Sequence, residues 1–167
     1  VLFRSEFGIW FEPEMVSPNS KLFKNNPDWI LGKKNQTLGR NQLVLDLNIK
    51  EVQSYLFEKI SKILFENKIS YIKWDHNRVL PFPDHNQANG FYRLLDKLRT
   101  AFPNVEFESC SSGGGRIDYG VLSTTHRVWL SDSNDAMVRF KMQNNASVWL
   151  PSEVVGSHVG PRKCHTS

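Results

Sequence analysis

YIKWDHNR, residues 71–78, begins as an apolar strand and then places a lysine, an aspartate, an asparagine and an arginine within six positions. Side chains alternate along a strand, so Ile72, Trp74 and His76 share one face. Lys73, Asp75 and, where the strand persists, Asn77 share the other. Polar groups of this density at the end of a buried strand are expected at the rim of a parallel α/β barrel, where chemistry is carried on strand ends.

Similar strand-like runs lie on both sides: FGIWFE (7–12), VEFES (105–109), RVWLS (127–131) and SVWLP (147–151), with QLVLDL (42–47) as a candidate sixth. Helical patterns separate them. Asn48 and Glu51 have capping-box spacing ahead of Val52, Leu56, Ile60, Ile63 and Leu64. A second pattern runs through Phe91, Leu94, Leu95, Leu98 and Phe102 to Pro103, and Asn134 and Asp135 open a third through Met137 and Phe140. Strands alternating with helices indicate parallel βαβ units. No phosphate-cradling fingerprint follows the first strand, which favours a barrel over an open dinucleotide-binding sheet. The expected fold class is therefore α/β, a partial (β/α)8 TIM barrel of about five of the eight units, since a complete barrel takes about 250 residues.

Of the 167 residues, 40% are hydrophobic and 23% charged, which excludes a disordered or fibrous chain. There is no apolar run of membrane-spanning length and no leader pattern, so a soluble, cytoplasmic protein with no membrane partner is expected. The net charge of +4 is scattered, with Lys33-Lys34 and Arg162-Lys163 the only adjacent basic pairs, so no nucleic-acid partner is expected either. Cys110 and Cys164 match no zinc spacing and suit a reducing compartment. Residues 1–5, VLFRS, read as a translated cloning adaptor, and 6–167 as a partial catalytic barrel cut at both ends.

Lys73 beside Asp75 is expected to keep the carboxylate ionised, as suits a nucleophile or an electrostatic stabiliser; the alternative is a structural ion pair. In VWLSDSNDA, Asp135 is explained as a helix-start residue. Asp132 is not. Two carboxylates from different strand ends fit glycoside hydrolysis, where retaining enzymes hold them about 5–5.5 Å apart. Between them, ESCSSGGGR (108–116) lets backbone N–H groups approach a ligand, or is a plain flexible turn. Trp10, Trp74, Trp129 and Trp149 lie in strand-like runs, where core packing is the default account of an aromatic, and Trp10 and Trp129, adjoining polar rim residues, are the better candidates for indoles on which the apolar C–H face of a sugar stacks. His76 and His126 raise a metal alternative, but alternation puts His76 on the face opposite Asp75, so no metal site is expected.

WFEPEMV (10–16), RNQLVLDL (40–47), YIKWDHNR, ESCSSGGGRID (108–118) and WLSDSNDA (129–136), continued by GSHVG (156–160), resemble in order the motifs of the glycoside hydrolase family 36 α-galactosidases of bacterial raffinose and melibiose utilisation. The resemblance covers essentially residues 7–167. It implies a retaining enzyme acting on terminal α-linked galactose, with Asp75 as nucleophile, Asp132 as acid/base and no cofactor. It further implies that Lys73 and Asn77 bind sugar hydroxyls, that Arg40 reaches the site from the loop before NQLVLDL, and that Trp10 and Trp129 wall the pocket. Cys110 and Gly113 would lie beside C2. Lys73 would keep Asp75 anionic, and Asp132 would be protonated beside Trp129. A galacto-oligosaccharide substrate and a parent homo-oligomer, a tetramer, are implied, with an isolated fragment poorly folded or inactive. Neighbouring readings are an α-N-acetylgalactosaminidase, an α-glucosidase or a non-catalytic carbohydrate-binding relative. The chain departs from the family at His76, often methionine there, at Ser112, often glycine, and at Leu130, often threonine.

Overall fold

A computed structural model describes residues 5–158. Most of VLFRS, Cys164 and the last two residues of GSHVG lie outside them. In chain order the elements are β1 (Gly8–Phe11), β2 (Met15–Val16), α1 (Lys21–Asn25), β3 (Leu43–Val44), α2 (Lys50–Glu66), β4 (Tyr71–Trp74), α3 (His85–Ala101), β5 (Glu106–Ser109), α4 (Tyr119–Thr124), β6 (Arg127–Val128) and α5 (Ala136–Ala146).

Strands β1, β4, β5 and β6 form one parallel sheet in that order. Each connection crosses through helix or loop and returns beside the strand before it, as in a (β/α)8 barrel wall. A fifth parallel position opens at Val155, which bridges Val128, with Gly156 N–H donating to the Val128 carbonyl at 2.8 Å. The partial-barrel expectation stands.

The two faces of this sheet are chemically unlike. Ile72, Trp74, Phe107 and Val128 join Val52, Leu56, Ile60 and Leu64 of α2 and Phe91, Leu94, Leu95 and Leu98 of α3 in one buried cluster. Each such side chain contributes about 1.5–3 kcal/mol on burial. The opposite face carries Tyr71, Lys73, Glu106, Glu108 and Arg127, with Lys73 in register with Glu108 and Glu108 with Arg127. This polar face is the inner wall of the barrel, and it ends at Asp75.

Several local expectations are corrected. SVWLP is not a strand: Trp149 and Leu150 donate backbone N–H to the Ala146 carbonyl, so the run is the turn that ends α5, with Val148 and Trp149 exposed. Local helix-end hydrogen bonds outweigh strand propensity there. QLVLDL supplies β3, but this pairs antiparallel with β2 in a separate ribbon rather than joining the barrel wall. Asn48 does not cap α2; Ile49 holds that position without a side-chain bond, while Asn48 binds Asp46 and Asp84. Asp84 caps α3 at Asn86 N–H, which starts that helix at His85. Asp135 caps α5 as its position suggests, but Met137 and Phe140 face outward, and the helix buries Arg139 and Ala146 instead. RVWLS pairs only through Arg127 and Val128, leaving Trp129 just past the strand.

Candidate active site

The backbone of Asp75 extends the ladder one step beyond β4, its N–H donating to the Phe11 carbonyl at 2.8 Å. Its side chain ends only 6% exposed among donors. Trp10 Nε1 donates to Oδ2 at 2.9 Å and His76 N–H to Oδ1 at 2.9 Å, and the Asn77 amide and Cys110 thiol also donate to the carboxylate. Burial by itself pushes this carboxyl up; the four donors outweigh it and hold Asp75 below the usual carboxylate range. An anionic, firmly oriented carboxylate results.

Lys73 is not the group that keeps it so. Strand register sets Lys73 beside Glu108, and Nζ donates to Glu108 Oε1 at 2.5 Å. The second oxygen of Glu108 accepts from Tyr71 O–H at 2.5 Å, and the carboxylate is 1% exposed. Burial, followed by the bond to Glu108, pushes the Tyr71 phenol far up, so it stays a donor. The expected Asp75–Lys73 pair is thus a Lys73–Glu108 pair. Lys73 also sits 4.0 Å from the centroid of the Trp129 ring.

Asn77 ties two elements together. While its amide donates to Asp75, Oδ1 accepts from Ser112 N–H at 3.1 Å and Ser112 Oγ at 3.2 Å. The glycine loop is accordingly pinned, not a loose turn. Gly113 has φ +86°, and a Cβ there would lie 2.9 Å from Ser131 Cα, so only glycine brings the loop against the segment leading to Asp132. Ser112, where the family often has glycine, also adopts a left-handed backbone, φ 47°. Cys110, buried beside Asp75, has its thiol pushed up to about 12, chiefly by burial, and remains protonated to donate.

Asp132 has contrasting surroundings. It is exposed, and Trp129 Nε1 donates to Oδ1 at 2.8 Å. Trp129 itself is 1% exposed, its ring contacted by Lys73, by the Arg139 guanidinium at 4.2 Å and by the His158 ring at 3.8 Å. Its expected place as a stacking wall is therefore corrected: cations and an imidazole already cover the ring, and the indole serves to orient Asp132. Trp10, 50% exposed with its N–H on Asp75, keeps an open surface. Arg40 occupies a turn with φ 52°, its Nη1 3.9 Å from Glu12 Oε1.

The structure brings Trp10, Asp75, Asn77, Cys110 and the glycine loop into direct contact, and links Lys73 to Asp132 through Trp129. Arg40 joins through Glu12, whose Oε1 also accepts the Asn77 backbone N–H at 3.1 Å. Two carboxylates were missed. Glu108 was legible, since alternation in VEFES puts Glu106 and Glu108 on one face. Glu14 was not: fully buried, it accepts from Trp74 Nε1 and Arg116 Nη1, both at 2.8 Å, and lies 3.2 Å from His76 Nδ1. Burial pushes Glu14 up, but Arg116 and then His76 hold it far below the usual range. His126 is committed to the backbone, Nδ1 accepting from Phe107 N–H at 3.0 Å. Among the described residues no cluster of three or more His, Cys, Asp or Glu is placed to hold a metal ion.

One oriented, anionic carboxylate past the end of β4 and one solvent-facing carboxyl past the end of β6, with β5 between the two strands, fit a displacement in which the first attacks and the second moves a proton. The chain is also similar to known α-galactosidases. The family model described as Melibiase matches residues 3–166. The chain is 50% identical over 171 residues to an α-galactosidase of Escherichia coli, covering 97% of this chain and 24% of that protein. Two crystal structures of variants of the GH36 α-galactosidase AgaA from Geobacillus stearothermophilus superimpose closely. The variant in complex with stachyose has a TM-score of 0.83 at 42% identity, covering 92% of this chain and 24% of that one. The variant in complex with raffinose has a TM-score of 0.84 at 39% identity, covering 96% and 26%. The chain thus spans about a quarter of the length of the proteins it resembles. With motifs, parallel barrel wall and family match in agreement, this chain belongs to the melibiase family.

Proposed function

We propose that the chain forms part of the catalytic barrel of a longer retaining α-galactosidase that removes terminal α-linked galactose from oligosaccharides such as melibiose and raffinose. The observation that carries this reading is the Asp75 carboxylate, buried at a strand end yet held anionic by four donors. Such a group is prepared to attack an anomeric carbon rather than to accept a proton from water.

In the first step Asp75 forms a bond to C1 as the glycosidic bond breaks, and Asp132 gives its proton to the departing oxygen. In the second, Asp132 takes a proton from water, which attacks C1 and releases Asp75. The exposure of Asp132 suits this exchange with solvent. Lys73 has three donors and spends one on Glu108, so two remain for sugar hydroxyls. Trp10 offers an open ring beside the nucleophile, and Cys110 and Gly113 close the pocket below. The AgaA complexes with stachyose and raffinose support this substrate class.

The test is hydrolysis of aryl α-galactoside, α-glucoside and 2-acetamido-α-galactoside by the full-length enzyme carrying this chain. Turnover should be confined to the α-galactoside and fall by about a thousandfold or more in Asp75→Ala. Azide should restore turnover in that variant and give the galactosyl azide of inverted configuration. Undiminished hydrolysis by Asp75→Ala overturns the reading.

A further inference from the structure

Arg78 closes YIKWDHNR and takes no part in the reaction above, yet its side chain spans two segments of the fold. Nη2 donates to Gln36 Oε1 at 3.0 Å and to the Thr37 carbonyl at 2.7 Å. The acceptor is itself fixed, because the Gln36 amide donates to the Leu31 and Lys33 carbonyls at 2.8 and 2.9 Å. The stem of Arg78 runs against Gly39, where a Cβ would lie 2.6 Å from Cγ, so position 39 must be glycine for the stem to pack there.

Immediately beyond Gly39 comes the turn that carries Arg40. Arg40 and Asn41 both have positive φ, 52° and 60°, and Gln42 N–H donates to the Gly39 carbonyl at 2.9 Å. Two such residues closing a bridge make the tight hairpin turn that glycine or asparagine normally occupies. An arginine in that conformation is unfavourable and persists only where its surroundings hold it. The surroundings here form a closed ring. From Asn77 the chain passes to Arg78, which grips Gln36, Thr37 and Gly39; the turn then presents Arg40 to Glu12, and Glu12 accepts the Asn77 N–H.

We propose that Arg78 is a positioning residue that seats the Arg40 turn over the sugar site, so that its effect on galactose binding is exerted through Arg40. This rests on the function proposed above and on the place in the sugar site that the family resemblance implies for Arg40. Because the ring begins two residues after Asp75, placement of the turn is tied to placement of the nucleophile.

The experiment is a double-mutant cycle in the full-length enzyme on aryl α-galactoside, with Arg40→Ala, Arg78→Ala, both together, and Asp75→Ala as the control. Arg78→Ala should raise KM by about tenfold while kcat changes by less than about threefold. In the Arg40→Ala background the same change should add less than about twofold, because its target is gone. Gly39→Ala, which displaces the Arg78 stem, should reproduce the KM effect and serves if Arg78→Ala fails to fold. A KM for both Arg78→Ala and Gly39→Ala equal to wild type overturns the proposal, as does an Arg78→Ala effect that multiplies fully with Arg40→Ala. Retained activity in Asp75→Ala overturns the underlying reading instead, so the two failures are distinct.

Discussion

Asp75 and Asp132 are held in opposite ways. Asp75 is buried and receives four donors drawn from β1, the residue that follows β5 and its own segment. Asp132 is exposed, and among the described residues a single indole donates to it. The difference matches the two roles of the proposed mechanism, in which the nucleophile must stay charged and still and the proton shuttle must exchange protons with solvent. It also shows tryptophan used twice, once as the exposed donor Trp10 and once as the buried donor Trp129.

The largest expected effect falls on the scaffold beneath the Asp75 end. Glu14→Ala removes the counter-charge of Arg116, whose side chain is largely buried, and leaves the Trp74 indole unpaired. Breaking a buried ion pair in this way should destabilise the fold by about 3–5 kcal/mol in denaturant titration. A loss below about 1 kcal/mol would mean that this end of the sheet does not depend on the Glu14 cluster.

Matched indole deletions sharpen the contrast itself. Trp129→Phe removes the donor to Asp132 and should lower kcat by about a hundredfold, the cost typical of losing a sole orienting donor in a site. Trp10→Phe leaves Asp75 three donors and should cost only about tenfold. Because fewer hydrogen bonds then favour the charged form, the Asp75 pKa should rise, and the acid limb of the kcat/KM profile should move to higher pH. Equal losses in the two variants would erase the distinction between the carboxylates.

A smaller effect concerns His126, which accepts a backbone N–H and is exposed to a lesser degree than a free imidazole. Burial first, then Arg99, lowers its folded pKa below the ordinary value of 6.5. The unfolded chain therefore binds the proton more readily, so stability present above pH 6.5 should decline as the pH falls below it. In His126→Gln that part of the pH dependence should vanish. The smallest expected signal is at Cys110: with its thiol pushed up to about 12 by burial, alkylation at pH 8 should be undetectable until the protein is unfolded.

How much of this was legible depended on the range of the forces involved. Strands β1, β4 and β5 were plain in the sequence because alternation and β-branched content are local signals, and Asp75 follows directly from the end of β4. Lys73 was misassigned to Asp75 because the two lie two residues apart on one face, whereas its actual partner, Glu108, comes from the adjacent strand by register. Trp149 has the neighbours of a strand residue but sits in a helix-ending turn, decided by backbone bonds to Ala146 that no propensity encodes. Trp129 looked like a sugar platform until Lys73, Arg139 and His158 were seen on its ring. Glu14 and Arg78 are long-range ties, from residue 14 to 116 and from 78 to 36, and nothing in either local stretch announces its partner.

The most direct test of the central claim is to trap the covalent intermediate. Full-length enzyme treated with an activated fluorinated α-galactoside, digested and examined by peptide mass spectrometry, should carry the sugar on the peptide containing YIKWDHNR, at Asp75. A label on Asp132, or no label together with hydrolysis that inverts the anomeric configuration, would contradict the account.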